Sequence, residues 1–130
     1  MTAALLVGLF GVAGALLRFA ADSWFAQQAA RQAEAGNGAR HWPWATLLVN
    51  MVGCFVIGAA AGVTGGLGLT GEWQTALATG LAGGLTTFSS WTTATVRLIS
   101  EARYGAATVN VTANLALGVA AAAAGMAVTG

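Results

Sequence analysis

The stretch Gly80 to Trp91, GLAGGLTTFSSW, decides the fold. It sets Gly83, Gly84, two threonines and two serines inside an apolar run long enough to cross a bilayer. The paired glycines lower helix stability and let the backbone leave regular geometry. Thr86, Thr87, Ser89 and Ser90 add hydroxyls that hydrocarbon cannot solvate. Irregular, polar backbone is tolerated at membrane depth only where protein buries it or where it lines an aqueous path. The segment is therefore expected to build a permeation or ion-binding structure, for which a plain anchor has no use.

The rest of the chain fits that setting. Of 130 residues, 57% are hydrophobic and 7% charged, against about 25% charged in a soluble domain. Nineteen glycines are poor material for a water-soluble core but suit membrane helices, whose backbones approach through small residues. The single cysteine, Cys54, excludes an intrachain disulfide and reads as a small buried hydrophobe. A formal charge of +1 without a basic stripe gives nucleic acid nothing to bind. The N-terminus lacks a basic n-region and reads as a retained first helix rather than a signal peptide.

Apolar runs at about residues 3–26, 44–63, 73–99 and 106–128 predict an all-α integral membrane protein, one four-helix domain over residues 1–130 in a lipid bilayer. The polar segment from Gln27 to Trp42 is expected to be a loop closed by Pro43, and a Gly-rich loop follows from Thr64 to Glu72. As continuous helix the third span would reach about 40 Å, about 10 Å more than the hydrocarbon core. A break near Gly83 and Gly84 absorbs that excess; tilt is the alternative. Trp24, Trp42, Trp44 and Trp73 fall at span ends, as interfacial indoles do, whereas Trp91 does not. Gly8, Gly11, Gly14, Gly58 and Gly62 read as close helix contacts.

Each polar residue within a span is either helix-to-helix glue or part of a pathway. Arg18 lies about two thirds along the first span, where it must snorkel, pair or face water. Asn50 stands alone among apolar neighbours, and Asn110 and Asn114, four residues apart, share one helical face. With the hydroxyls of the third span they offer many N–H and O–H donors and no titratable group. Such a lining can replace the water around a small anion. Arg18 is the one charge read as deep in a span, which argues against a proton relay. His41 has no nearby Cys or Asp, and Ser89 and Ser90 have no base, so no enzyme is expected.

Four motifs together resemble the CrcB, or Fluc, family of fluoride channels over nearly the whole chain. They are GVAGALLRF at Gly11 to Phe19, PWATLLVNMVG at Pro43 to Gly53, GGLTTFSSW at Gly83 to Trp91, and NVTAN at Asn110 to Asn114. The resemblance implies four-helix subunits with a broken third helix, associated as an antiparallel dimer with two fluoride pores beside a structural sodium ion. It puts the backbone carbonyls of Gly83 and Thr86 on the sodium and makes Arg18 structural. Asn50 falls on the pore asparagine and Phe88 on the first of two pore phenylalanines, with Thr87, Ser89, Asn110 and Asn114 also lining the path. The implied activity is passive fluoride efflux and fluoride resistance in a multi-pass protein of the bacterial inner (plasma) membrane.

Three positions depart from the family pattern. Trp91 stands at the second phenylalanine, where it either serves as an aromatic wall or plugs its pore. Ala94 stands where the motif continues to a glutamate, and Ala45 replaces a glycine. A non-conducting subunit that supports a conducting homologue is the alternative reading. A small multidrug-type transporter would want a glutamate in the first span, which has none.

Arginine placement adds an expectation about assembly. Lysine is absent; Arg31 and Arg40 lie in the first connection and Arg97 and Arg103 around the third, with none at either terminus or in the second loop. The positive-inside rule then puts loops one and three in the cytoplasm and both termini outside. A fixed orientation favours an antiparallel heterodimer with a homologue of opposite bias over a homodimer.

Overall fold

The computed structural model describes residues 2–36, 41–66 and 70–130, all of their regular structure helical. Four helices run in sequence: α1 (Thr2–Glu34), α2 (Trp44–Gly66), a bent third helix, and α6 (Tyr104–Thr129). The bent one consists of α3 (Gly71–Thr75), a π-helical segment (Ala76–Ala82), α4 (Gly83–Leu85) and α5 (Phe88–Ser100). Among the described residues three helices are long and apolar enough to span a membrane: α1, residues 44–63 of α2, and α6. The bent helix divides its length between two arms.

Boundaries differ from the sequence expectation: in the expected loop from Thr64 to Glu72, α2 continues to Gly66 and α3 already begins at Gly71. The stretch from Gln27 does not leave the helix, because α1 continues to Glu34. Its residues, QQAARQAE, are polar or small and are good helix formers, so they leave hydrocarbon without leaving helical geometry. At about 50 Å, α1 outreaches the bilayer core and ends on Arg31 in its last turn, where a cation suits the helix dipole. The loop positions Asn37, Gly38 and Arg40, and residues 67–69 of the second loop, lie outside the described residues.

The other difference is the break itself. Gly83 and Gly84 are helical, with Gly83 at φ −64° and ψ −37°. The chain opens instead at Thr86 (φ −71°, ψ 153°) and Thr87 (φ −144°, ψ 111°). Gly84 serves contact rather than bending: a Cβ there would run into the Gly11 carbonyl of α1. Gly14 meets the Leu81 carbonyl from the other side, so α1 and the first arm pack backbone to backbone. α2 and α6 do the same where Gly58 faces the Ala122 carbonyl and Gly125 the Phe55 carbonyl. Gly8, by contrast, has open space around it and makes no close contact. Leu5, Leu9, Val12, Leu16 and Phe19 form an exposed stripe along α1, the face offered to hydrocarbon. Cys54 is half-buried in α2 against Gly118.

Candidate functional site

The opened backbone lies where three helices reach it with polar groups. Thr86 makes the last helical bond of the first arm, its N–H donating to the Ala82 carbonyl at 2.9 Å. The next N–H, that of Thr87, donates to Asn50 Oδ1 on α2 at 2.9 Å. Continuous helix would have given it to the Gly83 carbonyl, which therefore loses its usual partner. The Thr86 carbonyl receives only a long bond, 3.4 Å, from Arg18 Nη1 on α1. α5 then restarts with Thr87 as its N-cap, the side-chain oxygen accepting the Ser90 N–H at 3.1 Å.

Asn50 is held on both sides. Its Nδ2 donates to Asn114 Oδ1 at 3.0 Å and reaches the Thr87 carbonyl at 3.5 Å. Asn114 in turn donates to the Asn110 carbonyl (2.9 Å) and to Asn110 Oδ1 (3.2 Å), and Asn110 Nδ2 donates to Thr95 Oγ1 (2.9 Å). Asn110 is 0% exposed and Asn114 9%. The two α6 asparagines thus lie inside the bundle with their amides spent on neighbouring chain groups. Among the described residues no buried side-chain polar atom lacks a partner.

A hydroxyl cluster and two rings complete the site. Thr87 Oγ1 lies 3.0 Å from Ser90 Oγ and 3.3 Å from Ser89 Oγ. Phe88 is 71% exposed, and its ring meets Trp91 edge-on, with centroids 5.6 Å apart and planes at 69°. The Trp91 indole N–H donates to the Asn110 carbonyl at 3.3 Å. The predicted residues Asn50, Thr87, Ser89, Phe88 and Trp91 are therefore brought together; Arg18 reaches the break from α1 through the Thr86 carbonyl, and Gly83 is exposed.

From Ser89 and Ser90 a cleft of about 650 Å³ opens toward the loop end, walled by the second half of α1, residues 41–46 and α5. Asp22 lines it, an acid one helical turn beyond Arg18 that the sequence reading passed over when it counted Arg18 as the only deep charge. The i, i+4 spacing of Arg18 and Asp22 was the available signal. Ala94, on the departed glutamate position, lines the same cleft. At its mouth Glu101 pairs with Arg97 (2.9 Å) and Arg103 (3.4 Å), and Arg103 donates to the His41 carbonyl (2.9 Å). The Arg97 hydrogen bond, with Arg103 adding to it, holds the Glu101 carboxyl below its ordinary range. No group of three or more His, Cys, Asp or Glu side chains able to hold a metal occurs among the described residues.

Comparison with known proteins agrees with this architecture. The model of the family described as CrcB-like protein, Camphor Resistance (CrcB), matches residues 5–126. The fluoride-specific ion channel FluC of Renibacterium salmoninarum is 47% identical over 116 residues, covering 89% of this chain and 90% of that relative. Fluoride-specific ion channel FluC 1 of Thermobifida fusca is 39% identical over 135 residues, 98% of this chain and 95% of the relative. The FluC channel of Pseudomonas syringae pv. tomato matches a shorter stretch, 42% identical over 59 residues. A family match over nearly the full length, on a bundle with a bent third helix, means that this multi-pass membrane protein belongs to the CrcB family.

Proposed function

We propose that this chain is one subunit of a fluoride-selective channel that lets fluoride leave the cell passively and so confers fluoride resistance. The observation that carries the reading is the opened backbone at Thr86 and Thr87, surrounded by amide and hydroxyl groups and flanked by two aromatic rings. A permeating anion must exchange its hydration shell for protein donors that hold it weakly enough to let go. Asn50 fits that need: one Nδ2 hydrogen is fixed on Asn114, and the other spans 3.5 Å to the Thr87 carbonyl, too long for a strong bond. That second hydrogen is the donor offered to fluoride. Thr87 and Ser89 add hydroxyls, and Phe88 and Trp91 present the positive edges of their rings. Asn114 enters the pathway by orienting Asn50, and Asn110 by holding Asn114.

A structural sodium ion is the second element. The family resemblance implies it, and backbone carbonyl oxygens suit a hard cation. The Gly83 carbonyl has surrendered its helical partner, and the Thr86 carbonyl carries only the long Arg18 contact. Gly83 is exposed in the isolated subunit. Two oxygens from one chain are too few, and a second subunit must bring its own pair. The ion would fix the opened backbone and offset the lone pairs that face each other there.

The antiparallel dimer that the family resemblance implies is supported by the exposure of Phe88 at the site. The orientation of this chain is read from the arginines: Arg97 and Arg103 lie at the end of the bundle that holds His41 and the cleft, Arg31 closes α1, and Arg40 lies outside the described residues. That end is cytoplasmic under the positive-inside rule, in the bacterial inner membrane. The partner is then a homologue of opposite arginine bias, with a homodimer as the alternative.

Fluoride efflux from liposomes tests the reading, with this chain alone, the homologue alone, and both together. Efflux that needs or is raised by this chain, without matching chloride efflux, is the expected result. If this chain adds nothing to a conducting homologue beyond its folding, the non-conducting structural role replaces the proposal. Reporter fusions at the C-terminus test the orientation, and an even split between cytoplasmic and external signals would mean dual insertion.

A further inference from the structure

Trp91 takes part in a circuit that a phenylalanine cannot make. Its indole N–H donates to the Asn110 carbonyl on α6 at 3.3 Å. The Asn110 amide returns to α5 by donating to Thr95 Oγ1 at 2.9 Å, and the Thr95 hydroxyl donates to the Trp91 carbonyl at 2.8 Å. The loop closes on the residue where it began. Asn110, its anchor on α6, is fully buried. The indole is therefore tethered at its far end and at its own backbone, while its ring stands edge-on to Phe88 at 5.6 Å.

From this closed circuit we infer that Trp91 is a fixed constriction that limits fluoride flux and sharpens selection against larger anions. The inference rests on the reading that an anion path passes Trp91. Two physical consequences carry it. The indole N–H is spent on a carbonyl, so a passing anion meets the C–H edge of the ring and not a hydrogen-bond donor. The ring is also larger than a phenyl group and cannot swing aside without breaking a part-buried bond. Trp91 thus neither plugs the path nor ligates the anion; it narrows the path and holds the width constant. Asn110 and Thr95 act as positioning residues behind it.

Trp91→Phe keeps an aromatic edge, removes the tether and shrinks the ring. Fluoride efflux is expected to rise about fivefold, the population change that goes with losing one ordinary hydrogen bond. The ratio of fluoride to chloride efflux should fall by a similar factor. Trp91→Leu, which removes the edge, should lower fluoride efflux about tenfold. Loss of efflux in Trp91→Phe as deep as in Trp91→Leu would make the N–H an anion ligand and overturn the inference. Unchanged flux and selectivity in Trp91→Phe would overturn it as well. A second measurement is independent of conduction: the indole ¹⁵N–¹H resonance of Trp91 in the wild-type protein, assigned by its absence in Trp91→Phe. Slow hydrogen exchange is expected. Exchange as fast as that of the exposed Trp24 means that no tether exists. If the wild-type chain is silent with every partner, the channel reading fails, and the resonance still decides whether the tether stands.

Discussion

The α2–α6 pair and the bent third helix solve the same problem in opposite ways. α2 and α6 keep their backbone groups in continuous helix and meet through glycines, Gly58 against Ala122 and Gly125 against Phe55. Close shape fit carries most of that contact, as it must where hydrocarbon supplies no hydrophobic drive between helices, and two hydrogen bonds, Asn50 to Asn114 and Thr129 to the Ala59 carbonyl, add to it. The third helix gives up its own bonding at Thr86 and Thr87 and hands the open groups to side chains, Asn50, Arg18 and the Thr87 hydroxyl. The frame is built from the absence of side chains and the site from polar ones. Rigid packing on one side is what lets an unsatisfied backbone persist on the other.

The largest effect should come from breaking the frame. Gly58→Leu drives a side chain into the Ala122 backbone, which cannot yield without moving a whole helix. A cost of about 3 kcal/mol or more is expected. Loss of the monodisperse protein peak in detergent would register it, with activity lost only as a consequence.

Asn50→Ala should reverse that pattern. It orphans the Thr87 N–H and the Asn114 oxygen, at a cost of about 1–3 kcal/mol, yet leaves the glycine contacts intact. Assembled protein with fluoride efflux reduced sharply is the expected outcome. Asn50→Asp keeps an acceptor for Thr87 but removes the donor and sets a carboxylate oxygen against the Asn114 amide oxygen, so it should be as inactive. Normal efflux in both variants would make Asn50 helix glue.

The two neighbouring glycines sharpen the comparison further. Gly84→Ala puts a methyl into the Gly11 carbonyl and should destabilise the subunit, whereas at Gly83 the nearest atom to a new Cβ is the Ala78 carbonyl oxygen at 4.0 Å. Gly83→Ala should therefore leave the isolated subunit folded, and damage from Gly83→Val should appear in dimer formation or sodium dependence. Thr86→Ser, which preserves the backbone carbonyl, should be mild. Equal loss of subunit stability in Gly83→Ala and Gly84→Ala would erase the distinction between contact and site.

The smallest effect belongs to the rim. Glu101 has its carboxyl pKa depressed in the folded protein by Arg97 and then Arg103. Its contribution to stability is therefore present at neutral pH and disappears as pH falls through the folded value, below the ordinary carboxylate range. The pair is exposed, so only a slight fall in the thermal midpoint is expected. The same fall in Glu101→Gln would assign it to other groups.

What the sequence by itself determined is what depends on local composition. Apolar runs mark the helices that cross the bilayer because transfer into hydrocarbon is summed residue by residue. Hydroxyls and glycines around residue 85 mark a polar break because no simple span would carry them. The tertiary structure decided where that break falls and what each polar group does. Gly83 and Gly84 had the local freedom to bend, but Gly84 is committed to the Gly11 backbone, and the chain opens two residues later, where Asn50 captures the Thr87 N–H. That choice is made by a residue 37 positions away, beyond any local signal. Gln27 to Glu34 reads as loop by polarity and folds as helix by propensity, since leaving hydrocarbon and leaving the helix are separate events. Asn110 and Asn114 share a face that spacing alone could predict. Only packing decided that this face turns inward, where buried amides must satisfy one another.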